Sequence, residues 1–368
     1  MALPELTWRP PQPPVVDHVT PSLLATWKQC QLRAGFQLDP VTSGLHKMGL
    51  RAAVGIVAHA VLERRFVSQN EFEDAWAEES SRTYKHLERE WAPASPPTPR
   101  NWPRWALTKH QVARRVVHDR AGNAIVTAPA RRAAPGQLVR SPATEQADRT
   151  PGLPWRERWL EDHVIGLGGR PDLVERSGGA LTVVDFKTGQ GDMTDDRRDQ
   201  LLIYAALVHS SLGELPARAE IRCADGGAHG FGIRSEEIDD VLRRTASARA
   251  LLNEAAAGRR ALEATPGPET CPSCPFRLAC GPFLQSYQPD WVCGHVVAGR
   301  VRGTGLLGVQ RYLDLDVVAP HWRPRQLRLI GLAESAPEHG RLWSVSDFEG
   351  ISATGFARWN TLTWSWPE

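Results

Sequence analysis

The sequence predicts an α/β protein with a helical N-terminal part, a sheet in its middle part and a separate small β domain at its C-terminal end. Apolar residues recur at helical spacing between residues 20 and 119, and strand patterns with glycine-rich turns begin at residue 155. Six of the fourteen tryptophans follow residue 288, within runs that alternate apolar and polar residues. At 368 residues the chain is long enough for two domains. The predicted divisions are a Pro-rich extension at 1–19, a mixed domain at 20–287 and a β domain at 288–368.

The composition is that of a globular chain that can bury a core, with 41% hydrophobic and 23% charged residues. Its longest apolar runs, such as LLIYAALV at 201–208, are too short to cross a bilayer. The N-terminus lacks the basic start and the apolar stretch of a secretory signal. We therefore expect a cytoplasmic protein that does not interact with membranes.

Four helices are predicted in the first 120 residues. A Thr-Pro-Ser start followed by apolar residues at helical spacing predicts a helix over 20–36, which contains Cys30. The same spacing predicts helices over 48–67, 70–91 and roughly 104–119. The segment at 127–154 is rich in Pro, Ala and Gly and carries only a weak pattern.

Strands are predicted from residue 155 onward. Residues 155–169 predict one strand, and residues 171–176 and 180–187 predict a hairpin that turns around Gly178. The elements expected after the hairpin are a helix at 196–211, two short strands within AEIRCA and HGFGIR, and a helix at 235–264.

The predicted hairpin carries ionised side chains at one end. Its register places Asp172 beside Asp185, and Lys187 leaves the same face of the strand two residues further on. Neighbouring carboxylates repel each other unless a proton or a cation lies between them, and hard oxygen ligands suit Mg²⁺ or Mn²⁺. A surface hairpin with an Asp–Lys ion pair is the alternative. The flanking LTVV run predicts burial, where charge is costly without a purpose, and this favours a metal site.

Three further motifs accompany this hairpin. GIVAH supplies Gly55 and His59 one helical turn apart, and the glycine would allow a close approach where the imidazole points. GRPD and DFKTG contain the hairpin acids and the lysine, and QLLIY supplies Gln200 and Tyr204 on one helix face. Together and in this order the motifs resemble the catalytic core of PD-(D/E)XK nucleases, and in particular the RecB-like branch.

The resemblance implies a restriction-endonuclease-like core, which is a mixed central sheet flanked by helices. It also implies a role for each motif residue. The implied ligands of Mg²⁺ or Mn²⁺ are His59, Asp172, Asp185 and the backbone carbonyl of Phe186. The implied catalytic residues are Asp172, Asp185, Lys187, Gln200 and Tyr204, of which the last two would support the site and contact DNA.

Six cysteines occur in a chain without a secretory signal, so their close spacing indicates metal binding rather than disulfides. Cys271, Cys274 and Cys280 can share one metal centre, which needs a fourth ligand. One early cysteine with three after the core resembles iron–sulfur RecB-like nucleases, among them AddB-type subunits and nucleases of CRISPR adaptation. The resemblance implies a 4Fe–4S cluster bound by these three cysteines and Cys30. The alternative is a structural Zn²⁺ with Cys293 as the fourth ligand.

A basic segment lies between His59 and Asp172. Nine lysines and arginines against one acid occur from Arg100 to Arg140, together with two tryptophans. Cations release counterions from a phosphate backbone and rings stack on bases, so we interpret about 70–150 as a helical insertion that contacts DNA. A solvated helix face is the alternative. The candidate DNA contacts are Arg104, Arg114 and Arg115 and, in the C-terminal domain, Trp322 and Arg323.

The sequence predicts a metal-dependent DNA nuclease that acts on single strands or DNA ends, in repair, recombination or defence against foreign DNA. It contains no G-x-x-x-x-G-K-[ST] motif, so we expect a separately encoded helicase or other protein partner. A non-catalytic DNA-binding or scaffold subunit is one alternative, and a zinc-stabilised DNA-binding protein is another. The C-terminal β domain, interpreted as an OB-like barrel, would bind single strands, bury its tryptophans in a core or dock a partner.

Overall fold

The structure, a computed structural model, contains a mixed α/β part followed by a β-rich part, which confirms the predicted α/β class. It describes residues 8–46, 50–62, 64, 68–90, 108, 110–115, 117–118, 152–187, 193–223, 227–288, 296–320, 325–332, 338–346, 348–349, 353–357 and 362–365. Within these residues, no helix has both the length and the apolar character needed to cross a membrane.

The helices and strands follow the chain in three groups. The helices are α1 (Pro21–Gln29), α2 (Gln31–Leu38), α3 (Leu50–Leu62), α4 (Gln69–Glu90), α5 (Asp195–Leu212), α6 (Ser235–Ala256) and α7 (Gly281–Ser286). The strands of the mixed part are β1 (Trp155–Arg156), β2 (Leu160–Asp162), β3 (Leu167–Gly169), β4 (Leu173–Ser177), β5 (Ala180–Lys187), β6 (Arg218–Cys223) and β7 (Ala228–Gly232). The C-terminal strands are β8 (Val296–Leu307), β9 (Gln310–Ala319), β10 (Gln326–Ile330), β11 (Leu342–Ser346), β12 (Thr354–Phe356) and β13 (Leu362–Ser365).

The predicted helix over 20–36 is interrupted at Cys30. Thr20 caps the start of α1, where its side chain accepts a hydrogen bond from the N–H of Leu23 at 3.2 Å. Cys30 then adopts extended backbone angles (φ −166°, ψ 117°), so it ends α1 and begins α2. The break places Cys30 beside the apolar cluster that contains Phe36 and Phe276.

The central sheet has the strand order β1-β4-β5-β6-β7. β5 and β6 run parallel, and the other neighbours run antiparallel, so the sheet is mixed as predicted. The β4–β5 hairpin turns at Gly178 and Gly179, whose φ values of 59° and 85° suit a two-residue turn. Leu173 pairs with Val184, so the next positions outward are Asp172 and Asp185. Helix α5 packs against β5 and β6, α6 packs against α5, and both helices contribute to the main apolar core.

The single strand predicted over 155–169 is wrong, because the structure divides it into β1 and the separate β2–β3 pair. Asp162 Oδ1 accepts hydrogen bonds from the N–H groups of Val164 and Ile165 at 2.8 and 3.0 Å, which forms a turn. Gly166 continues the turn with a φ of 72°. The predicted helix over 235–264 is also shorter, since α6 ends at Ala256.

Residues 8–19, predicted as part of an extension, are extended but pack on the mixed part. Val16 and Val19 are buried. The backbone N–H of Val16 donates to the Asn253 side chain at 2.7 Å, and Val19 bridges to Leu167 of β3. At the other end, Trp8 packs against Phe36.

The C-terminal sheet has the strand order β12-β10-β9-β8-β11-β13. Strands β10 and β12 run parallel, and the other neighbours run antiparallel. β12 and β13 form its two edges and do not pair with each other where the chain is described, so no closed barrel is seen. Val296 and Ala298 of β8 join the apolar cluster that surrounds the cysteines, which ties this sheet to the mixed part.

Asp199 joins α5 to α1 and α6, and we expect its neutralisation to destabilise the fold. Its buried carboxylate accepts hydrogen bonds from Lys28 at 3.0 Å and from two nitrogens of Arg244 at 2.6 and 2.8 Å. Burial alone would raise the pKa of Asp199, but the hydrogen bonds from Arg244 and Lys28 outweigh it and lower the pKa below 3.8. Asp199→Asn should therefore lower the free energy of unfolding at neutral pH by about 2 kcal/mol, measured by urea denaturation.

The stabilisation by Asp199 should depend on pH, because its pKa is lower in the folded than in the unfolded state. The ionised carboxylate stabilises the fold fully above about pH 4, and this stabilisation is lost as the pH falls through the folded pKa. The stability difference between wild type and Asp199→Asn should therefore shrink as the pH falls below about 4. Asp196→Asn is the matched control, since Asp196 contacts the same Lys28 from a more exposed position and should cost under about 1 kcal/mol. Equal losses in the two variants would contradict the assignment.

Candidate functional site

Asp172 and Asp185 lie side by side at the open end of the β4–β5 hairpin. Their exposures are 7% and 2%, so both carboxylates are buried. The N–H of Phe186 donates to Asp172 Oδ2 at 2.5 Å, which extends the contact between the two strands beyond their ladder. The structure thus brings together the two acids of the predicted hairpin.

Two side chains hold Asp185 in place. Lys187 Nζ lies 2.7 Å from its Oδ2, and Gln200 Nε2 donates to its Oδ1 at 3.1 Å. The Oδ2 atom is buried, and its contact with the Lys187 ammonium is an ion pair that lacks hydrogen-bond geometry. A carboxylate oxygen has more than one lone-pair site, so this oxygen can also bind a cation.

Tyr204 contacts both Gln200 and the GRPD segment. Gln200 Nε2 also donates to the Tyr204 hydroxyl at 3.1 Å, which orients the amide toward Asp185. The Tyr204 ring lies so close to Gly169 of the GRPD motif that a Cβ there would be 2.9 Å from the ring. Burial raises the pKa of Tyr204 far above its ordinary value, so the hydroxyl stays neutral. A buried, neutral hydroxyl suits support of the site, and the predicted DNA contact stays a prediction.

His59 on α3 also reaches the open end of the hairpin. Its Nδ1 lies 2.9 Å from Glu157 Oε1 and 3.5 Å from Asp172 Oδ1. Burial lowers the pKa of His59, but the three surrounding carboxylates outweigh it and raise the pKa overall. A Cβ at Gly55 would meet no atom of the described residues within 4 Å, so the close approach expected at this glycine stays a prediction.

Glu157 is a site residue that the motifs did not predict. It follows β1, and its N–H donates to the backbone oxygen of Asp172 at 3.1 Å. His59, Glu157 and Asp172 offer ligand atoms that all lie within 4.8 Å of one another. The described residues contain no other such trio of His, Cys, Asp or Glu, and the predicted ligand Asp185 is not part of it. The sequence WRERWLEDH contains three acids, so sequence alone could not single out this one.

The proximity of the acids alters the protonation of Asp172. Burial is the main cause and the charge of Asp185 the second, and together they raise the pKa of Asp172 to about 7. The His59 imidazole opposes this shift. Without a cation, the site therefore retains a proton near neutral pH. A divalent cation bound by oxygen and imidazole ligands can take the place of that proton.

Four cysteines meet in a second cluster. Cys30 between α1 and α2 lines the same cavity as the three late cysteines, together with the apolar Phe36 and Phe283. The N–H of Gly267 donates to Cys271 Sγ at 3.4 Å. Burial raises the pKa of Cys274 to about 11, and the neighbouring thiols add to the shift. The structure therefore brings together Cys30, Cys271, Cys274 and Cys280, whereas Cys223 is buried separately in β6 and Cys293 lies outside the described residues.

The predicted DNA contacts are only partly described. Residues 110–115 are helical, and Ala113 packs in an apolar cluster with Phe72 of α4. Arg114 forms an ion pair with Glu73 of α4, whereas Arg115 is exposed. Arg104, Trp322 and Arg323 lie outside the described residues. An exposed Arg115 remains compatible with a phosphate contact.

The comparison with protein families gives a match over most of the chain. The family model of the PD-(D/E)XK nuclease superfamily matches residues 18–281. Among solved structures, the chain is similar to a crystal structure of a Eubacterium rectale protein provisionally described as an exonuclease. The TM-score is 0.41 at 10% identity, over 67% of this chain and 84% of that chain. None of the curated proteins matches the chain.

Asp172→Asn should stabilise the cation-free protein at neutral pH. Because the folded pKa of about 7 exceeds the ordinary value of 3.8, the folded state keeps a proton that the unfolded state has released. Wild-type stability therefore falls as the pH rises from about 4 to 7. As the pH rises from 5 to 8, the free energy of unfolding should fall by about 2 kcal/mol less in the amide variant than in wild type. Urea denaturation with a chelator present measures both.

Excess Mn²⁺ should reverse this order of stability, because only the wild type offers both Asp172 oxygens as charged ligands. Glu161→Gln is the control, since Glu161 is a more exposed acid on β2 with a half-exposed side chain. It should follow the wild type at every pH. A wild type and an Asp172→Asn variant with the same pH dependence would contradict the raised pKa.

Proposed function

Because the chain belongs to the PD-(D/E)XK nuclease superfamily, we propose that it is a metal-dependent nuclease that hydrolyses phosphodiester bonds in DNA. The observation that carries this proposal is the end of the β4–β5 hairpin. There, two buried carboxylates lie side by side and the Lys187 ammonium lies 2.7 Å from one of them. Such a grouping is costly in a protein interior and is used where metal-assisted hydrolysis requires it.

Each residue at the hairpin end has a part in this proposal. A bound Mg²⁺ or Mn²⁺ supplies a water of lowered pKa and stabilises charge on the phosphate. Asp172 and Asp185 would bind the cation, and Gln200 fixes the Asp185 carboxylate through a hydrogen bond of 3.1 Å. Lys187 is 29% exposed, and its ammonium would orient the attacking water and stabilise charge on the phosphate oxygens. The Phe186 carbonyl remains a predicted further ligand.

Single strands or DNA ends are the proposed substrate, in repair, recombination or defence against foreign DNA. The basic residues between 100 and 140 support a nucleic-acid substrate. In the C-terminal sheet, the exposed Arg300, Arg302 and Arg311 of β8 and β9 offer further phosphate contacts. An OB-like barrel would suit single strands, and a separately encoded helicase is the expected partner.

Lys187→Ala should lower the rate of DNA cleavage by at least about 100-fold, because the variant loses the cation that faces the phosphate. End-labelled single- and double-stranded DNA with Mn²⁺ or Mg²⁺ gives the rate, and the product ladder gives the polarity. Arg176→Ala is the control, since Arg176 lies on the same hairpin in an exposed ion pair with Glu214. Wild type that binds DNA without cutting it would contradict the nuclease and favour a non-catalytic DNA-binding subunit.

We also propose that the four clustered cysteines bind a 4Fe–4S cluster. The four thiols line one cavity, so a single inorganic group could take all four as ligands. The apolar cavity and the N–H of Gly267 on Cys271 are also typical surroundings of iron–sulfur ligands.

Cys274→Ser should lose iron, sulfide and the brown colour when the protein is purified without oxygen. The cluster would join Cys30, between α1 and α2, to the cysteines after α6, so the variant should also unfold several degrees below wild type. Cys223→Ser is the matched control, because Cys223 is a buried thiol in β6 outside the cluster. One zinc ion per chain, in place of iron and sulfide, would contradict the proposal.

A further inference from the structure

The β8–β9 hairpin ends in a tip that extends beyond the neighbouring strands of the C-terminal sheet. We define the hairpin tip as residues 306–311, all of which are exposed. In the described chain, β11 pairs with β8 no farther along than Arg300, and β10 pairs with β9 no farther than Tyr312. The N–H of Gly331 donates to the backbone oxygen of Arg311 at 2.8 Å and so contacts the base of the tip. The two strands of the tip therefore pair with each other past both neighbouring strands.

Apolar side chains form the end of this tip. Leu306, Leu307 and Val309 are 68%, 54% and 97% exposed. Gly308 has a φ of 62° and begins a two-residue turn between Leu307 and Gln310. Turns of this kind are usually polar, and scattered exposed apolar residues are common, but a contiguous apolar group on a projecting turn is typical of a binding surface.

Positive charge accompanies the apolar tip. The segment from Arg300 to Arg311 contains three arginines and no acid. Arg311 is exposed and pairs across the ladder with Leu306, so its guanidinium belongs to the tip itself. Arg300 lies farther back, where it pairs across the ladder with the exposed Asp316. The charge of the segment is therefore least compensated toward its tip.

The second carboxylate near the tip is already bound. Asp314 lies 3.7 Å from Arg302, but its two oxygens accept hydrogen bonds from Arg328 at 2.7 and 2.8 Å. The Arg302 side chain is 47% exposed. Arg302 and Arg311 can therefore both bind an anion from outside the protein.

An apolar end flanked by guanidinium groups matches the chemistry of a DNA end. The faces of terminal base pairs are flat and apolar, and phosphates lie on both sides of them. Apolar side chains that insert between bases unstack them, while arginines hold the neighbouring phosphates. A stable protein interface covers about 800 Å² on each partner, which is more than three side chains on a narrow hairpin provide. The tip therefore fits DNA better than a second protein.

We propose that the hairpin tip is a wedge that separates the two strands at the end of duplex DNA. Leu307 and Val309 would insert beside the terminal base pairs, and Arg302 and Arg311 would bind the phosphates of the separated strands. The binding energy of these contacts offsets the loss of stacking over a few terminal pairs, so the step consumes no fuel. The inference rests on the proposed nuclease function and adds its substrate, a duplex end from which the tip frees a single strand.

Fluorescence of 2-aminopurine tests the wedge without cleavage. The full chain is added, with a metal chelator present, to short blunt duplexes that carry this base at the end or in the middle. Wild type should raise the fluorescence of the terminal base, because unstacking removes its quenching, and leave the central base unchanged. The double variant Leu307→Ser, Val309→Ser should lose most of this rise, because serine side chains do not replace the stacked base.

Val164→Ser is the matched control. Val164 is 93% exposed in the turn between β2 and β3, so its loss should leave the fluorescence rise at the wild-type level. All these side chains are exposed, so each variant should keep the thermal midpoint of wild type. With Mn²⁺, the ratio of the cleavage rate of paired ends to that of forked ends of the same sequence should fall about 10-fold in the tip variant alone.

The two arginines have a separate readout. Arg302→Gln combined with Arg311→Gln should weaken the binding of duplex ends and lower the slope of log affinity against log salt by about 2, since each phosphate contact contributes about 1. An unchanged slope would overturn the placing of phosphates beside these arginines.

The outcomes separate this inference from the nuclease function. The absence of a terminal rise in wild type, or a rise that persists in the tip variant, would overturn the wedge and leave the nuclease intact. Wild-type unpairing with a loss of self-association in the tip variant, measured by sedimentation, would assign the tip to a protein interface and also overturn the wedge. A wild type that unpairs DNA ends but cuts no DNA with Mn²⁺ supports the wedge and overturns the nuclease.

Discussion

The adjacency of Asp172 and Asp185 depends on the register of one hairpin. Gly178 and Gly179 make a two-residue turn, and the ladder from that turn pairs Leu173 with Val184. Side chains alternate between the two faces of a sheet, so a shift of one residue would move Asp185 to the face opposite Asp172. Leu181 and Val183 of β5 pack in the main apolar core, and such a shift would replace them there with Thr182 and Val184. The packing of the apolar core thus fixes the relative positions of Asp172 and Asp185.

The other site residues reach this hairpin from separate elements. α5 contributes Gln200, which orients Asp185, and α3 contributes His59. The segment after β1 contributes Glu157 through a backbone conformation that the pairing of β1 with β4 imposes. Burying an ionised carboxylate costs free energy, and the hydrogen bonds and the ion pair seen here offset that cost only in part. The remaining demand for positive charge is the physical basis of the metal dependence that we propose.

The cysteine cluster imposes a second long-range constraint. Cys30 interrupts what the sequence predicts as one helix, and the break places its thiol beside cysteines that follow α6. Trp8 packs on the Phe36 side of this cluster, and Val296 and Ala298 of β8 pack against it. The N-terminal segment, the mixed part and the C-terminal sheet therefore share one apolar junction, so loss of the cluster would affect all three.

The sequence by itself determined the α/β class, the hairpin with its two acids and lysine, and the three late cysteines that can share one centre. These features depend on local spacing, which side-chain periodicity and turn residues fix. Only the tertiary structure decided the break at Cys30, the division of 155–169 into three strands and the place of Glu157. Each of these depends on contacts between distant segments, such as Glu157 with His59, and three acids in one short stretch are equivalent until the fold selects one.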